Sequence, residues 1–574
     1  MIRTVPQTTG EGIELYIRTY YSLLRSSGDI RIRSLEETHE GMLSSLHLGA
    51  ESPNVDVSAL IYAMLRLPDC IDVAARVVMG QSEEVFMRAG FADVSTWRRV
   101  DARARRRRMQ FDGANTIAAF VSSVSDIDDL IPSLTAMQIE WNKLHNRLSS
   151  TQLGHDLAAG RVNASDVAEV LRATWELADE EFGRLQSAWG PLWDEKVRAL
   201  AERPLDLRLT SLAGGFSDYR RAVEEWWDDL VHAMDDAYLD FRPIYFVSSN
   251  PHSLPNLLSG HALTMREELA QFAREEQAEG LGAEWERLAA EAAEGGGMTG
   301  AQANLLYYIE RLYAKGDAER RAAWEDAELA AGIHRFEEPH SLDIRAQVID
   351  LRSLDLAHLD PRLRMPGLEA LARSNALILN IDYPLGFAAY HLLSQVSSSA
   401  SDLLGVYIMG KAATLNGRVG DVMIPNVVYD EHSRNTFLFK NCFLAHQVAP
   451  HLLHGAVFDN QKAVTVRGTF LQNREFMHVF YREGYTDLEM EAGPYLSAVY
   501  ENIYPRRYPF NEIVNLFINA PYDIGLLHYA SDTPYSRRQS LLSKSLSYFG
   551  VDATYACSVA ILRRVFAGEI ARQR

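Results

Sequence analysis

The chain has little cysteine and no long apolar run for its 574 residues. Its three cysteines, Cys70, Cys442 and Cys557, stand far apart and form no CxxC pair. That excludes a disulfide framework and suits free thiols in a reducing compartment. No apolar stretch approaches the length that crosses a bilayer, and Met1-Ile2-Arg3-Thr4-Val5-Pro6-Gln7 has no apolar signal core. A cytoplasmic protein with no membrane partner is therefore expected. The GxSxG elbow and the HExxH pair are missing, so the sequence motifs of α/β-hydrolases and zinc proteases are not met. Gly405-Val406-Tyr407-Ile408-Met409-Gly410-Lys411-Ala412 approaches a Walker A loop. However, Ala412 has no hydroxyl for magnesium and the Val-Tyr-Ile-Met centre favours a strand, so a P-loop is rejected. His446, His451 and His454 cluster without a suitable third or fourth ligand, and no metal or cofactor is expected.

Positive charge is also short, with 57 Lys+Arg against 77 Asp+Glu and a net charge of −20. Residues 371–574 hold 18 basic and 17 acidic side chains, so all of the net acidity falls in residues 1–370. An acidic surface repels phosphate backbones, and nucleic acid is not an expected partner. The exception is Trp97 to Arg108, where arginines crowd together. This run reads as a solvated helix face or as a set of mates for nearby acids, with a phosphate clamp the less common alternative.

What is there is an ordinary globular composition, 47% hydrophobic and 23% charged, on a chain long enough for several domains. Residues 1–240 read as helices, for example Gly12–Leu24 and Val167–Leu177, with a helix start at Asp126–Pro132. Residues 241–365 read as a mixed region. It holds a short strand at Pro243–Val247, a polar turn at Ser248–Pro255, a charged helical hairpin over Arg266–Glu294 that projects from the body, and a linker punctuated by Pro361–Gly367. From 366 to 574 strands and helices alternate, with strands at Ala376–Ile381, Leu404–Met409, Asp421–Pro425, Ala463–Val466 and Ile524–Tyr529. Two closing helices follow, Arg538–Phe549 and Ala553–Phe566. The expected class is α+β: a mostly α-helical N-terminal region, then an α/β domain with a twisted mixed sheet flanked by helices.

The candidate chemistry sits in that last domain. Gly410 and Lys411 follow a buried strand, where small residues let backbone N–H groups approach an anion or a sugar. Glu491, in Glu489-Met490-Glu491-Ala492, can accept two hydrogen bonds from a ribose diol. Phe470 can stack a base. Asp532, in Ser531-Asp532-Thr533-Pro534 after a strand, can protonate a leaving nitrogen if burial raises its pKa. Phe470 and Met490 read equally well as core residues.

Taken in order, these segments resemble the nucleoside phosphorylase and nucleosidase superfamily over roughly residues 375–570, with wording nearest to AMP nucleosidase. The resemblance implies a nucleoside phosphorylase-like fold. It makes Met490 and Glu491 the ribose grip, Phe470 the base-stacking aromatic, and Asp532, beside Ser531, the acid at purine N7. It sets Asp382-Tyr383-Pro384-Leu385-Gly386 in the place of the family's first phosphate loop, with Asp382 as a water-orienting group. Gly386 and Ile408 stand where that family has phosphate-binding arginines, and Lys411 is left as the nearby cation. The implied activity is hydrolysis of the N-glycosidic bond of a purine nucleoside or nucleotide. The alternatives are a nucleotide-sensing protein without turnover and a phosphorylase. By analogy with that oligomeric family and from the bulk of amphipathic helix, a homo-oligomer held largely by residues 1–330 is expected.

Overall fold

Among the described residues, two sheets organise the chain. The computed structural model describes residues 11–212, 215–234, 239–275, 280–295, 298–337, 341–505, 507–516, 520–533, 539–540 and 549–574. In the front part the expected helices are present as Glu11–Ser27 and Ala168–Trp175. The start expected at Asp126–Pro132 opens the long helix Val124–Ser149, where the Ser123 side chain accepts from the N–H of Ser125.

The reading of residues 1–240 as helices needs a correction, because a six-stranded sheet runs between those helices. Its strands are β1 (Asp29–Arg31), β2 (Arg76–Gly80), β3 (Arg98–Ala102), β4 (Arg105–Phe111), β5 (Thr116–Phe120) and β6 (Arg208–Ser211), in the order β1-β6-β2-β5-β4-β3. These strands are short, and arginines fill much of β3 and β4, so no apolar alternation shows in the sequence. The arginine run is thus a β-hairpin rather than a helix face. Its side chains alternate as strand residues must, with Arg105 and Arg107 buried and Arg106 exposed. Several do mate with acids: Arg105 donates to Asp129 at 3.0 Å and Arg108 to Glu83 at 2.9 Å.

Among the described residues the second sheet has twelve strands. They are β7 (Ile244–Ser249), β8 (Ile333–Phe336), β9 (Ala346–Asp350), β10 (Leu377–Asp382), β11 (Leu403–Thr414), β12 (Val422–Asp430), β13 (Thr436–Leu438), β14 (Val457–Thr465), β15 (Asp487–Glu489), β16 (Ile513–Asn515), β17 (Asp523–Thr533) and β18 (Gln539–Ser540). The division expected at residue 365 falls inside this unit. Across it β9 pairs antiparallel with β10, and β7 lies between β10 and β11, parallel to both. The division at 240 also moves. Front-core residues end at Leu209, apart from Phe470 and Leu471, whereas Trp226 and Leu230 of helix Phe216–Ala233 already pack on the large sheet. The charged hairpin is present as helices Arg266–Glu275 and Leu281–Gly295, but it does not project. Leu269, Ala273, Trp285 and Leu288 are buried in a core shared with the closing helix Phe549–Arg572. The other closing helix, expected at Arg538–Phe549, lies largely outside the described residues.

Pairing runs in a closed circuit from β11 to β17, β12, β14, β15 and back to β11, a small barrel set into the larger sheet. Within β11 the Walker-like segment is strand, as its β-branched and aromatic centre requires. Gly410 and Lys411 accordingly lie inside the strand and not in a loop after it. Among the described residues no helix is long and apolar enough to cross a membrane.

Candidate active site

Strand ends and barrel meet at one narrow cavity. Its wall is Ser248 of β7, Tyr383 after β10, Ile408 to Lys411 of β11, Glu489 of β15, Glu491, and His528 of β17. Three residues singled out by sequence, Gly410, Lys411 and Glu491, therefore face one space. The free volume is about 10 Å³, room for roughly one water molecule, so a ribosyl ligand needs the cavity to widen.

The cavity floor is acidic. Glu489 Oε2 accepts the N–H groups of Glu491 and Ala492, both at 2.7 Å, and so ties down the start of helix Ala492–Ile503. Glu491 is held beside it, and its carboxyl is pushed up to about 8, first by burial and then by the Glu489 charge. The N–H groups of Gly386 and Met490 and the charge of His528 pull it partly back. His528 Nδ1 bonds Asp487 Oδ2 at 2.6 Å, with both side chains buried. Burial works against its cationic form, but Asp487, Glu489 and Glu491 outweigh that and hold its pKa above the ordinary value. His252, which is not part of the cavity wall, is driven down to about 3 by burial, then by Arg311, Arg106, Lys411 and Arg335.

The other expected site residues fall differently. Phe470 is no base-stacking platform. It is buried in the front core with its ring 5.1 Å from that of Tyr62, and it is not part of the cavity wall. Met490 is half-buried against the small cluster of Leu415, Val464 and Phe480, also outside the wall. Asp532 and Ser531 sit four and three residues past His528 on β17. Ala412 pairs with Ala530 and Ala413 with Asp532, so Ser531 is the extra residue of a bulge that re-aims the strand end. Ser531 Oγ donates to Asp532 Oδ2 at 2.9 Å. Pro534 lies outside the described residues. Asp382 is buried and engaged twice, by Arg106 of β4 and by Arg345, the residue before β9, at 2.7 Å. With both oxygens paired to arginines it anchors the loop and is not placed to orient water.

Gly386 shows why no arginine stands there. Its φ is +54°, and a Cβ would lie 2.2 Å from Ser125 Oγ at the start of the long front helix. Ser125 Oγ in turn accepts the N–H of Phe387 at 2.9 Å. The front unit has taken the space that a side chain at residue 386 would fill.

Sequence reading missed Asp487, Glu489, His528, Ser248 and Tyr383. One signal was available: Asp487, Glu489 and Glu491 alternate at period two in an otherwise buried stretch, which sets three acids toward one side. Their partner His528 is 41 residues from Asp487, and only folding joins them. Among the described residues no three His, Cys, Asp or Glu are arranged to hold a metal ion.

A profile of protein family DUF6909, described as a family of unknown function, matches residues 32–567. The chain belongs to that family. No curated protein sequence matches it. Similar solved structures include uridine phosphorylase from Schistosoma mansoni in complex with 5-fluorouracil, at 10% identity and a TM-score of 0.28, over 57% of this chain and 88% of that one. Another is the 5′-methylthioadenosine/S-adenosylhomocysteine nucleosidase from Neisseria meningitidis in complex with methylthio-immucillin-A, at 12% identity and a TM-score of 0.27, over 43% of this chain and 92% of that one. At these values the functional reading of this DUF6909 member rests on its own site.

Proposed function

We propose that this protein hydrolyses the N-glycosidic bond of a purine nucleoside or nucleotide. The observation that carries the reading is the convergence of Gly410, Lys411 and Glu491 on one strand-end cavity, where Glu489 and His528 join them. In this reading Glu491 accepts hydrogen bonds from the ribose hydroxyls, which grow stronger as positive charge builds on the sugar. The bond from C1′ to the purine nitrogen breaks, and its electron pair leaves with the base. Asp532 gives the base a proton, and water adds its oxygen to C1′ and releases a proton. Lys411 on the cavity wall suits an anionic part of the ligand.

Incubation with a panel of purine nucleosides and nucleotides, with and without orthophosphate, tests this by chromatography of the free base. Base release independent of phosphate, with ribose or ribose phosphate as the other product, is expected. Strict phosphate dependence with ribose 1-phosphate would sink hydrolysis in favour of phosphorolysis. A second reading, a nucleotide-binding protein without turnover, is favoured by the double engagement of Asp382 and by the small cavity. Tight binding in calorimetry with no base released by any member of the panel would decide for it.

A further inference from the structure

We propose that His528, anchored by Asp487, is a positioning residue for Glu491, a counter-cation that readies the Glu491 carboxylate for the hydroxyls of a ribosyl ligand. The proposal rests on the reading of Glu491 as the ribose grip. It begins from an oddity of strand β17, whose flanking residues Leu526, Leu527 and Ala530 are apolar and fully buried. An imidazole in such a strand costs free energy unless it is paired. Its pair, Asp487, lies across the barrel on β15 and is itself fully buried. A pair of purely structural use would be sealed off, yet His528 is part of the cavity wall together with Glu489 and Glu491. Because Nδ1 is committed to Asp487, Nε2 is the ring nitrogen left to serve the cavity.

The charges around Glu491 come from several elements. Glu489 of β15 opposes its ionisation, and His528 of β17 favours it. Lys411 of β11 shares the cavity wall, and Tyr495 of the following helix has its own ionisation suppressed in part by Glu491. His528 in turn faces Asp487, Glu489 and Glu491, which together raise its pKa against the effect of burial. An ionised carboxylate accepts two hydrogen bonds from a diol, whereas a protonated one has spent an oxygen on its own proton. A cation fixed beside Glu491 thus sets the pH at which the grip works.

The test is calorimetry of the intact protein with adenosine and adenosine monophosphate from about pH 6 to about pH 9, with melting temperature followed in parallel. Wild-type affinity should rise with pH as Glu491 ionises, near its value of about 8. In His528→Gln and in Asp487→Asn that rise should move upward by about a pH unit, with roughly tenfold weaker binding near neutrality. The double variant should add little to either single one, and His528→Arg, which restores a cation, should recover most of the loss. A rise at the same pH in wild type and both single variants, all folded, would overturn this inference and leave the functional reading standing. Absence of binding by wild type at every pH would overturn both.

Discussion

Arg467, two residues past strand β14, donates to the buried carboxylate of Asp128 in the long front helix at 2.9 Å. The Tyr21 hydroxyl donates to the same carboxylate at 2.8 Å. This contact, the Arg106–Asp382 pair and the Ser125–Phe387 hydrogen bond close the front unit over the strand ends of the large sheet. The front unit is therefore a wall next to the candidate site.

The Arg467 contact gives the first prediction. Arg467→Ala leaves Asp128 buried with the Tyr20 and Tyr21 hydroxyls as its partners among the described residues, which should cost about 3 kcal/mol. A clearly lower unfolding midpoint in denaturant is expected, and a change within the scatter of surface substitutions would contradict the clasp.

Phe470→Ala should lower stability by about 3–5 kcal/mol through the cavity left in the front core. Affinity of the folded protein for a nucleoside should stay near normal, because the ring is not on the cavity wall. A large loss of affinity at unchanged stability would return Phe470 to the site.

Asp532→Asn keeps the side-chain volume and the hydrogen bond with Ser531. If Asp532 is the proton donor, turnover should fall roughly a hundredfold or more while ligand affinity barely moves. Unchanged turnover would remove it from the mechanism.

Glu431 carries a pH dependence. Burial pushes its carboxyl from 4.5 up to about 8, against hydrogen bonding from the Arg467 N–H at 3.0 Å. Below the unfolded value both states are protonated and its contribution is complete. As pH rises from about 4.5 to about 8 the unfolded chain ionises freely and the folded one does not, so stability falls across that window. Glu431→Gln should flatten this part of the melting-temperature profile relative to wild type. Neighbouring Asp430, raised to about 6, keeps its own smaller slope in the variant. Parallel profiles in the two proteins would contradict the assignment.

A fragment of residues 366–574 should fail to fold, because it lacks β7, the partner of both β10 and β11. Circular dichroism with a cooperative melt from that fragment would contradict the single large sheet. For the full chain we expect a homo-oligomer, and a monomer by light scattering would refute it.

How much of this was legible in the sequence follows from the range of the forces involved. Local pattern was enough for the strands β7, β10, β11, β12 and β17 and for the long helices, since an apolar run or a helical stripe is written in neighbouring residues. Gly410, Lys411 and Glu491, picked out by sequence, do line the cavity, although Gly410 and Lys411 lie inside β11 and not in the loop after it that the sequence suggested. The sequence could not reveal the front sheet, whose arginines look like a solvated surface until Asp126, Asp129 and Asp382 are brought beside them. Nor could it reveal that β7 to β9 share a sheet with β10, or that Phe470 belongs to the front core, since strand pairing and core membership are decided by contacts between distant segments. The Asp487–His528 pair is the same case at the site itself. Each residue alone reads as an ordinary polar position, and only the closure of the barrel buries them together and raises the pKa of the imidazole.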